Sequence, residues 1–169
     1  MVKVLSVIHD SIVDGEGLRT VVFTAGCPHF CPGCHNPSSW NINNGKEYSE
    51  EELVHAISVS ESNDVTFSGG DPFFQAAELV PVARRVKEMG KSLWIYTGYT
   101  LEQLLERMIK SELILLALAD TIVDGPYIEA ERDLTLPFRG SRNQRIIPVT
   151  GELRSRAAAL MEESSQPIC

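Results

Sequence analysis

The chain has 169 residues, of which 43% are hydrophobic and 22% are charged, and its formal net charge is -8 at pH 7. This length suits one domain spanning residues 1–169, and the composition excludes a disordered or fibrous protein. The acidic surface disfavours nucleic acid as a partner, and the lack of a long apolar stretch or a signal peptide predicts a cytoplasmic protein without membrane contact.

Short apolar segments that end in glycine recur along the chain and predict strands. They cover residues 20–26, 65–69, 93–98 and 121–125, with 145–149 as a fifth candidate. Helical patterns lie between them, because capping boxes begin at Ser49 and Thr100 and residues 79–86 carry an apolar stripe. Pro81 fits that stripe only in the first turn of a helix.

The alternation of apolar strands and helices predicts an α/β fold with a parallel sheet covered by helices. Five or six such units are too few to close an eight-stranded barrel, so we expect one incomplete TIM-like barrel with a splayed sheet. Ligands of such sheets bind at the carboxyl ends of the strands, where the four glycines lie. Glycine lets backbone approach a ligand closely, but each of these glycines could equally be a turn residue.

Three of the four cysteines, Cys27, Cys31 and Cys34, lie in one loop directly after the first predicted strand. In a reducing compartment this arrangement favours metal binding over disulfide formation. A [4Fe-4S] cluster on three thiolates keeps one iron without a protein ligand, and an open position is what substrate activation requires. A zinc site completed by His29 or His35 is the alternative.

The Cys-x3-Cys-x2-Cys loop resembles the motif of the radical S-adenosylmethionine enzymes. The flanking segments 14–20 and 35–40 resemble those of the enzymes that activate glycyl radical enzymes. Gly33 stands where many superfamily members have an aromatic residue. The loop that contains it, taken with the late segments 124–129 and 136–145, resembles the activating proteins of anaerobic ribonucleoside-triphosphate reductases. The resemblance runs through most of the chain.

This resemblance implies one [4Fe-4S] cluster held by Cys27, Cys31 and Cys34, with S-adenosylmethionine bound beside it. The implied contacts of S-adenosylmethionine are Gly33, Cys34, His35, Gly69, Gly70 and Asp71. Bare glycines let backbone carbonyls face an ammonium group, to which Asp71 adds complementary charge. Without the resemblance, the Gly-Gly-Asp-Pro segment is typical of a structural turn.

The implied activity is reductive cleavage of S-adenosylmethionine to a 5'-deoxyadenosyl radical, which takes hydrogen from a glycine of the reductase. The implied partners are the anaerobic ribonucleoside-triphosphate reductase and a low-potential electron donor such as flavodoxin or ferredoxin. Two alternatives stay open. The chain could activate another glycyl radical enzyme, such as pyruvate formate-lyase, or be a zinc-binding module without catalysis.

Other polar and aromatic residues receive weaker predictions. The late arginines could clamp a carboxylate, meet an acidic partner or lie in a solvated loop; they are Arg132, Arg139, Arg142 and Arg145. Residues expected to be surface, capping or core groups are His9, His29, His55, Trp40 and Trp94. Cys169, at the end of the chain, is predicted to be a thiol without function.

Overall fold

The computed structural model describes residues 1–164, and Cys169 lies outside the described residues. Seven strands in the described part of the chain form one sheet. In chain order they are β1 (Val2–Ser11), β2 (Arg19–Thr24), β3 (Lys46–Tyr48), β4 (Asp64–Gly69), β5 (Leu93–Tyr96), β6 (Thr121–Asp124) and β7 (Arg145–Pro148). Their spatial order is β3-β1-β2-β4-β5-β6-β7. Strands β2, β4, β5 and β6 are parallel, whereas β1 and β3 at one edge and β7 at the other are antiparallel to their neighbours.

Helices follow the strands within residues 1–164. They are α1 (Glu50–Ser58), α2 (Ala76–Glu88), α3 (Leu101–Arg107), α4 (Lys110–Leu118) and α5 (Gly151–Ser164). Both predicted capping boxes form, at Ser49 before α1 and at Thr100 before α3. None of the helices in this part of the chain combines the length and apolar character needed to span a membrane.

The position of Pro81 differs from the prediction. Helix α2 begins at Ala76, so Pro81 lies in its second turn rather than its first. Proline provides no N–H for the carbonyl four residues earlier, which is that of Ala77. Ala77 is exposed, so water can bind this carbonyl and the helix tolerates the proline.

The α/β sheet is confirmed, and it is open rather than closed. Its parallel part has four strands, not the five or six units expected. The segment 125–144 contains no α-helix that could carry the chain back along the sheet, so β7 returns antiparallel to β6. Strands β1 and β3 lack the terminal glycine on which the strand predictions depend.

Alternate residues of the parallel strands face opposite sides of the sheet. On one side Val22, Phe67, Ile95 and Ile122 pack with the helices in the core. The opposite side carries no helix layer at the carboxyl ends of the strands, where Phe23, Ser68 and Tyr96 instead line a cavity. The side chains that face away from the core thus form the floor of the candidate site.

Candidate active site

A cavity of about 320 Å³ opens at the carboxyl ends of β2, β4 and β5. Most of the predicted site residues lie at its wall. They are Cys27, Cys31, Cys34, His35, Gly69 and Gly70. Of the other two, Gly33 and Asp71, neither lines the cavity. The structure therefore brings the cysteine loop and the Gly-Gly turn together around one space.

The cysteine loop reverses direction through two residues with left-handed backbone. Phe30 has a φ of 50° and Gly33 a φ of 77°. The backbone N–H of Cys34 donates to the carbonyl of Cys31 at 3.1 Å, which closes the turn between them. All three cysteines in the loop are free thiols of intermediate exposure, accessible from the cavity side.

The donor set fits a cluster better than a single metal ion. Within residues 1–164, no group of three His, Cys, Asp or Glu side chains converges closely enough to hold one ion, as structural zinc requires. The thiolates of an iron–sulfur cluster bind separate irons and surround a group several ångströms across. Three thiols spread around a cavity of about 320 Å³ match that requirement.

Cys27 is the cysteine whose protonation the structure changes most clearly. Burial raises the pKa of its thiol from 9.0 to about 11, and the backbone N–H of His29, which donates to the sulfur, partly opposes this shift. The charge of Asp71 raises the pKa further. At neutral pH the metal-free thiol therefore keeps its proton, which is released when a metal binds.

Glycines occur where the cysteine loop and the turn after β4 approach each other. A Cβ on Gly70 would lie 2.3 Å from the carbonyl oxygen of Gly26, and one on Gly69 would lie 2.4 Å from the backbone nitrogen of Thr24. The N–H groups of Gly70 and Asp71 donate to the carbonyls of Thr24 and Gly26, both at 2.8 Å. The glycines thus join the two loops in addition to lining the cavity.

Asp71 is completely buried, and its carboxylate is bound by protein donors. Its Oδ2 accepts from Nε2 of His29 at 2.6 Å, from Oγ1 of Thr97 at 2.9 Å and from the N–H of Gly98 at 3.0 Å. Its Oδ1 accepts from the N–H of Phe73 at 3.0 Å. With four donors around it, Asp71 supports the loops beneath the cavity rather than lining its wall.

The environment of His29 was missed by the sequence analysis, which predicted a surface or capping group. Its ring packs edge-on against Tyr99, with centroids 4.5 Å apart, while Nε2 contacts Asp71. A Cβ on Gly98 would lie only 2.4 Å from the ring. The available sequence signal was its place between two cysteines of a loop that must be held against the sheet.

The segment after β6 packs against the second half of the cysteine loop. The rings of His35 and Tyr127 lie 5.1 Å apart, and a Cβ on Gly33 would lie 2.9 Å from the carboxylate carbon of Glu129. The Glu129 carboxylate is the end of an exposed, flexible side chain and could move away from a larger residue at position 33. The left-handed φ of 77° is the stronger reason for glycine there, because an aromatic residue rarely adopts it.

The late arginines have separate roles. Arg145 anchors β7, because its Nε donates to Asp124 at 3.0 Å and its Nη1 to Glu102 at 3.1 Å. The hydrogen bond from Arg145 lowers the pKa of Glu102 from 4.5 to about 2. Arg139 donates to the carbonyl of Gln144 at 2.9 Å and lines a groove beside the cavity. Arg145 is thus a structural residue, and Arg139 lies near the site.

Comparison with known proteins agrees with this geometry. A family model described as a 4Fe-4S single cluster domain matches residues 13–147. The fold and the cysteine loop, together with this match, define an α/β protein that carries an iron–sulfur cluster.

Curated relatives identify the family within this class of iron–sulfur proteins. Anaerobic ribonucleoside-triphosphate reductase-activating proteins are similar at 31% identity in Escherichia coli K12 (79% of this chain and 90% of that one), at 35% in Vibrio cholerae (80% and 90%) and at 37% in bacteriophage T4 (79% and 86%). The chain belongs to the family of anaerobic ribonucleoside-triphosphate reductase-activating proteins. Among solved structures, QueE from Escherichia coli matches 59% of this chain and 53% of its own at 19% identity with a TM-score of 0.49, a likeness too weak to add to the assignment.

Proposed function

We propose that this protein cleaves S-adenosylmethionine reductively and generates a glycyl radical on an anaerobic ribonucleoside-triphosphate reductase. The observation that carries the proposal is the shared cavity, in which three cysteines of the family motif face the Gly-Gly turn at the carboxyl ends of parallel strands. Family membership supports the choice of reductase over pyruvate formate-lyase as the partner. Family membership and the match to a 4Fe-4S domain also support a cluster enzyme over a zinc-binding module.

Cys27, Cys31 and Cys34 would hold the cluster, one thiolate to each of three irons. When bound, the cluster supplies one electron to the sulfonium of S-adenosylmethionine. The chain itself positions the reactants and excludes water from the carboxyl ends of the strands. The electron comes from a low-potential donor such as flavodoxin or ferredoxin.

The residues at the cavity wall would contact S-adenosylmethionine directly. We assign the methionine end to the backbone of Gly69 and Gly70, and the nucleoside to Cys34 and His35, since all four line the cavity. Gly33 and Asp71, also expected to touch the cofactor, are not among the residues that line the cavity: Asp71 is completely buried, whereas Gly33 is exposed. Their contact with S-adenosylmethionine stays a prediction.

A groove of about 640 Å³ adjoins the cavity and shares Asp14, His35, Tyr96 and Gly140 with it. Its rim carries exposed apolar side chains; Ile12 is 72%, Val13 69% and Leu134 79% exposed. An exposed apolar patch on a soluble protein is typical of an interaction site. We assign this groove to the glycine-bearing segment of the reductase, because a segment lying there continues directly into the cavity.

The segments that form this groove also cover the side of the sheet opposite the helices. Oγ1 of Thr66 donates to the carbonyl of Asp14, and the hydroxyl of Tyr96 donates to the carbonyl of Phe138, both at 2.7 Å. We interpret the open sheet with this cover as the incomplete TIM-like barrel expected from the sequence.

The test is anaerobic reconstitution of the cluster, reduction, and measurement of 5'-deoxyadenosine with and without the reductase. We expect product, about four irons per chain and a glycyl radical signal on the reductase by electron paramagnetic resonance. Cys31→Ala should abolish both products. Iron-loaded protein that does not bind S-adenosylmethionine would exclude the proposal, and a radical formed only on pyruvate formate-lyase would change the partner.

A further inference from the structure

Loops from three neighbouring strand ends meet at the carboxylate of Asp71. The cysteine loop after β2 contributes His29, the turn after β4 contributes Asp71 itself, and the loop after β5 contributes Thr97 and Gly98. The His29 side chain is 15% exposed and that of Asp71 is 0% exposed, so water competes little for this contact. The pair therefore connects the cysteine loop to the rigid sheet.

His29 acts on the cysteine loop through its backbone as well as its ring. Its backbone N–H donates to the sulfur of Cys27, while its Nε2 is fixed by Asp71 at 2.6 Å. We assign Nε2 as the donor in this contact, because the same Oδ2 also accepts from the backbone N–H of Gly98. A shift of the ring away from Asp71 would also move the N–H that faces the sulfur.

We propose that His29 and Asp71 form a positioning pair that holds the cysteine loop in the shape required for cluster binding, and that neither residue is a cluster ligand. The inference rests on the cysteine loop being the cluster site, but not on the identity of the substrate or the protein partner. It assigns a role to His29 that neither its sequence context nor the family assignment supplies.

Gly98 contacts both members of the His29–Asp71 pair. Its φ lies outside the left-handed region, so alanine can adopt its backbone conformation, and the three atoms nearest to the added Cβ would all belong to the His29 ring, the closest at 2.4 Å. Gly98→Ala therefore displaces the ring without altering either the donor or the acceptor. This gives an independent way to break the pair.

The first experiment compares His29→Leu with His29→Gln. Leucine removes the donor, whereas the amide nitrogen of glutamine reaches about as far as Nε2 and donates in its place. We expect His29→Leu to bind the reconstituted cluster about 10-fold more weakly, as loss of outer-shell support does. The spectrum of the reduced cluster should also broaden, because the loop would then hold the cluster in several shapes. His29→Gln should restore both. His55→Leu, an exposed histidine on α1, is the control and should match the parent protein.

The second experiment tests coupling between Gly98 and His29. Gly98→Ala should reproduce the loss seen in His29→Leu, but it should add nothing when combined with His29→Ala. Gly151→Ala, where the added Cβ meets nothing within 4 Å, controls for the glycine substitution itself. Thermal unfolding of the metal-free variants identifies any chain that fails to fold. If His29→Leu is one of them, the iron contents of Gly98→Ala and His29→Gln test the positioning pair instead.

The readouts are iron content and the spectrum of the reduced cluster, both measured without S-adenosylmethionine or reductase. Failure of the proposed radical chemistry would leave these readouts unchanged, so the two hypotheses fail separately. Three results would each overturn the positioning pair. The first is a His29→Leu protein that binds the normal amount of iron, and the second is an equal loss of iron in His29→Leu and His29→Gln. The third is a Gly98→Ala substitution that lowers the iron content as much in the His29→Ala background as in the parent protein.

Discussion

Arg19 belongs to the segment before the cysteine loop that resembles activating enzymes, yet its contacts are structural. Its side chain is 1% exposed and lies 5.5 Å from the centroid of the Trp94 ring. It donates to Oγ1 of Thr66 at 2.8 Å and to the carbonyls of Glu16 and Val65 at 2.8 and 2.7 Å. Arg19 thereby fixes the segment that leads from one side of the groove beside the cavity.

We predict that Arg19→Leu lowers the free energy of unfolding by about 3 kcal/mol, because several buried acceptors lose their donor at once. Urea denaturation of the metal-free protein measures this. Arg84→Leu, at an exposed position on α2, should change stability by less than about 0.5 kcal/mol. Equal effects of the two substitutions would contradict the structural role of Arg19.

A pH-dependent prediction concerns Glu102. Its pKa is about 2 in the folded chain and 4.5 when unperturbed, so its pairing with Arg145 stabilises the fold above pH 4.5 and is lost as pH falls toward 2. The pair is exposed, which limits its contribution to about 1 kcal/mol or less. The parent protein should thus exceed Glu102→Gln in stability near neutral pH, and the difference should vanish near pH 2. A constant difference in pH-dependent denaturation would exclude this linkage.

At the scale of elements, the local signals were the most reliable. The capping boxes before α1 and α3 form, and the glycine-ended segments became parallel strands because each signal depends on residues close in sequence. The direction of β7 was not predictable from its own residues, because it depends on the missing helix between β6 and β7. Helix α3 ends at Arg107 because Met108 adopts a left-handed φ of 51°, which the helix propensity of methionine does not indicate.

The cap before α3 gives a test at this scale. The Thr100 side chain accepts from the N–H of Gln103 at 3.2 Å, and the Gln103 side chain accepts from the N–H of Thr100 at 2.9 Å. We expect Thr100→Ala to cost about 1 kcal/mol in chemical denaturation. Thr100→Ser keeps the hydroxyl and should lose much less; a loss as large as that of alanine would show that the cap is not the cause.

In the candidate site, too, features set by residues close in sequence were easier to predict than contacts between distant residues. The resemblance placed the cysteines and the Gly-Gly turn beside one ligand, and the cavity that both line agrees with that placement. The His29–Asp71 contact was not predictable, because these residues are 42 positions apart and meet only through the order of the strands. The displacement of Asp71 from the cavity wall has the same origin, since its four donors come from three separate parts of the chain.

For the whole molecule, the assigned groove predicts how the partner binds. Leu134→Asp places a charge at the apolar rim, so the reductase concentration giving half-maximal glycyl radical should rise about 10-fold. Val59→Asp, an exposed apolar residue at the end of α1, is the matched control. Iron content should be unaffected in both. An unchanged reductase dependence in Leu134→Asp would exclude the groove as the docking site.

Both edges of the sheet end in very short strands, with three residues in β3 and four in β7, and Pro148 closes the latter. The β7 edge offers little unpaired backbone to another copy of the chain, and its proline provides no N–H for pairing. At the other edge β3 pairs only with Val2–Val4, so the rest of β1 is an edge as well, and the register shifts between Val4 and Ser6 and between Ile8 and Ser11 make it irregular. Short strands, a proline and an irregular ladder all discourage edge-to-edge polymerisation. The proposed binding surface for the reductase lies at the carboxyl ends of the strands, away from both edges, so binding there would not compete with association between copies of this chain.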